Sequence, residues 1–96
     1  MLLKEVRKKL NSHKKALFQY GVHSLAVFGS IARGEGTVKS DIDILVDFDS
    51  KKGLFGFVSL KDYLEKILQC EVDLVTKNAL HPALKQKVLQ EARHVL

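Results

Sequence analysis

Between Gly29 and Val46 the chain reads GSIARGEGTVKSDIDILV, which sets a Gly-Ser pair ten residues ahead of an Asp-x-Asp. Each pair is fastened to a run of strand character. Leu25 to Phe28 predict a short buried strand, Gly29 allows a sharp exit from it, and Ser30 to Arg33 open a helix. Asp41 to Phe48 predict a second strand, whose period of two aims Asp41 and Asp43 at the same side. The segment is thereby restricted to strand, tight turn, short helix and strand. Backbone N–H groups at such a helix start carry partial positive charge and hold phosphate, with the Ser30 hydroxyl as an added donor. Two carboxylates side by side repel, and Mg²⁺ relieves the repulsion because it takes hard oxygen ligands, commonly one or two carboxylates plus substrate phosphates. The spacing points to a site for a nucleoside triphosphate and a metal.

Taken alone, either motif is ordinary: Gly-Ser turns are common, and Asp-x-Asp at a strand entry is often a pair of solvated carboxylates. Their conjunction carries the reading. An EF-hand loop counted from Asp41 would need an oxygen ligand and a glycine where Leu45 and Val46 stand. A Walker A loop needs Gly-Lys-Ser/Thr, which does not occur. An aspartyl-phosphate phosphatase expects Thr or Val at Leu45 and a much longer chain. A third carboxylate lies in Glu71 to Val75, EVDLV, a further strand candidate with Asp73 between Val72 and Leu74. Asp73 then shares its face with Glu71 and Val75, and a mid-strand carboxylate is costly to desolvate without positive compensation. The competing reading is an exposed edge-strand Asp.

The segments GSxARG, SDIDILV and VDLVT together resemble the minimal nucleotidyltransferase (MNT) family of the DNA polymerase β superfamily, from about Phe28 to the C-terminal helix. The resemblance implies a nucleotidyltransferase fold and an antitoxin role beside a HEPN-domain toxin. Some members transfer AMP from ATP to a tyrosine near the toxin's ribonuclease motif. By position, Gly29 and Ser30 would bind the triphosphate, Asp41 and Asp43 the metals, and Asp73 the third metal position. Arg33 and Ser40 join the nucleotide-contacting candidates, and Lys39 is a further charge neutraliser, with pairing to Glu35 as the competing role for Arg33. In the implied reaction the Mg²⁺ ions held by the three Asp residues clamp the triphosphate and activate the acceptor hydroxyl, Asp73 is also the candidate base, and pyrophosphate leaves. A binding-only antitoxin, masking its toxin by stoichiometric contact, is the alternative. Three mutually repelling carboxylates argue against it.

Ninety-six residues suit one domain, 1–96, with a single modest core and no room for a template or added substrate domain. A polymerase, a tRNA-end-adding enzyme and a self-contained antibiotic-modifying transferase are thereby disfavoured. One cysteine, Cys70, allows no internal disulfide, and no apolar run reaches membrane-span or signal length, so a reduced, cytoplasmic protein without membrane contact is expected. Cys70 reads as a small packed hydrophobe. His13, His23, His81 and His94 have no ligand spacing. The net charge of +5 falls largely on one helix face and lacks interleaved aromatics, so direct nucleic-acid binding is not expected, while homo- or hetero-oligomers stay open.

Helical stripes separate the strands. Leu3, Val6, Leu10 and Leu17 predict one helix over Leu2 to Gln19, Phe57, Leu60, Leu64 and Leu68 a second long one, and a last helix from Pro82 should bury Leu84, Val88, Ala92 and Val95. The alternation predicts an α/β fold, helices packed on a small mixed three-stranded sheet. Leu54 and Phe55, in a Gly-flanked linker, are expected to tuck under the second long helix, with a protein-binding patch as the other reading. Asp47 lies on the face of Asp41 and Asp43 beyond Leu45, where a structural or surface role fits.

Overall fold

The computed structural model describes residues 2–34 and 41–96. In chain order the elements are α1 (Leu3–Ser12), α2 (Lys14–Gln19), β1 (Val22–Phe28), α3 (Gly29–Ala32), β2 (Ile42–Phe48), α4 (Gly53–Leu68), β3 (Val72–Thr76), α5 (Pro82–Glu91) and β4 (Arg93–His94), with single 3₁₀ turns at Ser50–Lys52 and Lys77–Ala79. The sheet order is β3-β2-β1-β4. β1 is antiparallel to β2 and to β4, whereas β2 and β3 run parallel, joined by the α4 crossover that a parallel pair requires.

Period two in β2 sorts its residues cleanly. Ile42, Ile44 and Val46 point into a core shared with Leu25, Val27, Val72 and Leu74 of the neighbouring strands and with Val6, Leu10, Leu17, Leu60, Leu64 and Leu68 of the helices. The positions in α1 and in α4 fall four residues apart, so each of these helices presents an apolar stripe to one face of the sheet, and α2 adds Leu17. Asp43, Leu45 and Asp47 take the other face of β2, where Leu45 is buried and Asp47 exposed.

The expected single first helix is broken at His13. The Ser12 hydroxyl donates to the Lys9 carbonyl at 2.7 Å, and His13 Nδ1 lies 2.9 Å from the same oxygen. Side chains that bond the local backbone compete with helix propagation. The expected three strands become four, because Ala92 turns to extended backbone and Arg93–His94 pair with Val27 and Ala26. The ladder continues as backbone bonds between Leu25 and Val95–Leu96, and the Arg7 guanidinium donates to the His94 carbonyl at 2.8 Å. Val95 is thus buried, but from a strand edge. Leu84 is 56% exposed, Val88 and Ala92 are half-buried, and α5 has no buried residue. The i, i+4 spacing suggested a core face that the C-terminal segment satisfies in another way. Leu54 and Phe55 lie in the first turn of α4 and are exposed, contrary to the tucked arrangement. Gly56 occupies the inward place, where a Cβ would meet Lys52 and the Phe48 ring.

No helix among the described residues is long and apolar enough to cross a membrane.

Candidate active site

The sheet register aligns the sequence candidates. Phe28, the residue before Gly29, pairs with Asp43, and Asp43 pairs with Asp73. Neighbouring strands lie about 4.7–4.9 Å apart, so Phe28, Asp43 and Asp73 form a row across three strands at one end of the sheet, with Gly29 leaving β1 against the Asp43 carboxylate. Asp41 stands just ahead of β2, exposed, with the following Ile42 N–H donating to the Glu71 carbonyl at 3.0 Å.

Gly29 is required twice over. Its φ is +75°, a region that L side chains rarely adopt, and a Cβ there would collide with the Asp43 carboxylate. The glycine lets the chain turn from β1 into α3 against the acidic group. α3 is a single turn, so its macrodipole is small. Its first N–H groups nonetheless lack intrahelical acceptors, with Ser30 half-buried beside them.

Asp43 is held above the ordinary carboxylate range, chiefly by burial and then by the negative charge of Asp73. A hydrogen bond in which protonated Asp43 donates to Asp73 and the charge of Asp41 push the same way; the Arg33 guanidinium opposes them. Asp73 is exposed on the edge strand β3, the position that a purely structural reading also allowed. Its contact with Asp43 separates it from a solitary surface carboxylate.

The donor set suits a hard divalent cation: oxygen ligands only, and a carboxyl group destabilised as an anion by its neighbours. Among the described residues no three His, Cys, Asp or Glu side chains already enclose a metal position.

Arg33 lies within electrostatic reach of Asp43, and its Nη1 pairs with Glu91 Oε2 of α5 at 3.2 Å. The expected competitor Glu35, together with Lys39 and Ser40, lies outside the described residues. Two acidic residues escaped the sequence reading. Glu91 meets Arg33 across 58 positions. Glu65 Oε2 accepts from the Val72 N–H at 3.0 Å and so ties α4 to the strand bearing Asp73. No local pattern marks either, because both act through tertiary contact. Cys70 packs half-buried against the core, and burial pushes its thiol up, which suits an inert side chain.

The nucleotidyltransferase domain family matches residues 3–95. The chain is 43% identical over 96 residues to a protein adenylyltransferase, MntA, of Thermococcus cleftensis, covering 99% of this chain and 97% of that one. A solved structure assigned to a minimal nucleotidyltransferase superposes with a TM-score of 0.83 at 36% identity, over 97% of this chain and 95% of the other. A toxin-antitoxin crystal structure with AMP-PNP superposes with a TM-score of 0.70 at 26% identity, over 90% of this chain and 71% of that chain.

Proposed function

Because the chain belongs to the nucleotidyltransferase domain family and has the minimal nucleotidyltransferase fold, we propose that residues 1–96 form one domain that transfers AMP from ATP to a tyrosine hydroxyl of a HEPN-type toxin, acting as its antitoxin in the cytoplasm. The observation that carries the site is the Gly29–Asp43–Asp73 cluster, in which a positive-φ glycine, a strained carboxyl and a second carboxyl meet where two strands begin and one ends. The adenylyl donor and the toxin are supported by the relatives, one named a protein adenylyltransferase and another a toxin-antitoxin assembly with AMP-PNP.

Asp41, Asp43 and Asp73 would hold Mg²⁺, which when bound neutralises the triphosphate and lowers the pKa of the acceptor hydroxyl. The Ser30 hydroxyl and the N–H groups opening α3 bind phosphate oxygens. Arg33, shared with Glu91, adds a positive charge beside the carboxyl row. Asp73 lies on the open edge of the sheet and receives the proton of the acceptor hydroxyl. The acceptor oxygen then bonds to the α-phosphorus as its bond to the bridging oxygen breaks, and pyrophosphate departs with the electron pair. The row also argues against a masking role alone, since mutual repulsion of carboxyl groups costs stability that a passive binder has no use for.

Thermal melts with and without Mg²⁺-ATP test the assignment. Native protein should be stabilised by the pair and the Asp41→Asn/Asp43→Asn double variant should not. Equal stabilisation of both would remove the two residues from the metal site.

A further inference from the structure

The first turns of α4 hold the most exposed large apolar side chains of the described residues. Phe55 is 89% and Leu54 75% exposed, and Val58, one turn beyond Leu54, is 47% exposed. Leu60, Leu64 and Leu68 already supply the helix's inward stripe, so these three form a second apolar surface that none of the described residues covers. Its surroundings are cationic. Lys51 and Lys52 precede it on the 3₁₀ turn, Lys61 follows, and the positive end of a sixteen-residue helix lies beneath; Asp62 is the nearby acidic group along the helix. Asp49 is engaged locally, accepting from the Lys51 N–H at 3.0 Å.

Building on the antitoxin reading, we propose that this turn anchors the toxin: Phe55 and Leu54 enter an apolar groove on the partner, and acidic side chains along that groove meet Lys51, Lys52 and Lys61. Charge decides against a second copy of the chain as the occupant. A two-fold contact through this patch would set the same three lysines against themselves, and like charges across an interface are repulsive. Aromatic side chains closed off from water by a polar rim dominate binding at protein interfaces. The location also suits an anchor. Asp43 stands near one end of β2 and Phe48 at the other, five residues on and roughly 16 Å away at about 3.3 Å per residue, and the Phe48 ring meets Phe57 of α4 edge-on at 5.8 Å, so the start of α4 packs at the end of β2 remote from the carboxyl row. A partner held there leaves the nucleotide site uncovered.

The test is calorimetric titration of the full chain with a purified HEPN-type toxin that it neutralises on co-expression, at low and moderate salt. Leu54→Ser/Phe55→Ser should weaken binding roughly thirtyfold or more while leaving the Mg²⁺-ATP melting shift unchanged. Lys51→Glu/Lys52→Glu should also weaken it and flatten its salt dependence, whereas Leu84→Ser on α5 should do neither. Native affinity in the apolar double variant overturns the inference, as does a native chain that self-associates through these residues while that variant is monomeric and still binds toxin. A native chain that binds no toxin overturns the antitoxin reading itself, and the anchor with it.

Discussion

The two faces of β2 share one backbone and opposite physics. Ile42, Ile44 and Val46 are sealed beneath α1, α2 and α4, while one residue out of phase Asp43 faces Asp73 and is pushed above its ordinary pKa. One face lowers free energy by removing apolar surface from water; the other raises it by crowding carboxyl groups. Stability and chemistry are therefore encoded in adjacent positions where β2 begins, before Leu45 returns the second face to apolar burial, and substitutions of Ile44 and Asp43 should fail in different ways.

The largest separation is expected from Asp41→Asn/Asp43→Asn, which should reduce AMP transfer by several orders of magnitude while the chain remains folded, as read by transfer assay and circular dichroism. A variant that unfolds would erase the division between faces. On the sealed side, Ile44→Ala should cost about 2–5 kcal/mol in denaturant melts, and the surviving folded fraction should still bind Mg²⁺-ATP. Ser30→Ala removes one charge-assisted hydrogen bond and should lower ATP affinity about tenfold without moving the melt.

The smallest effect sharpens the comparison through pH. Asp43 keeps its proton in the native state over a range where the unfolded chain has released it, so the native state holds the extra proton there. Metal-free stability should be fully retained below the unfolded carboxyl value and decline as pH rises through the raised native value. Asp43→Asn should abolish that part of the decline and melt slightly higher than native protein at neutral pH. A pH-stability curve unchanged by the substitution would show that the carboxyl row carries no strain.

Local periodicity made most of this legible. The alternation through Ile42 to Val46 marked both faces, and Leu60, Leu64 and Leu68 marked the inward stripe of α4. Gly29 was readable as a turn residue, but its clash with Asp43 depends on register and became visible only when β1 and β2 were paired. Arg93–His94 escaped because two residues have no period, and because Val88, Ala92 and Val95 fit a helix stripe that backbone pairing with Leu25 overrides. In sequence Gly53 and Gly56 look like breakers, which points to a loop for Leu54 and Phe55. Gly53 begins the helix at positive φ, and Gly56 sits within it where a side chain would not fit.

Whether the carboxyl row transfers AMP to a partner is tested most directly at Asp73, the exposed edge-strand carboxyl proposed to serve the attacking hydroxyl more than the bound triphosphate. Asp73→Asn should bind Mg²⁺-ATP and toxin nearly as native protein does yet attach no AMP to the toxin, as read by mass spectrometry after incubation with ATP. Toxin modified at the native rate by this variant, or toxin fully neutralised by it at equal expression without any attached AMP, would contradict the account.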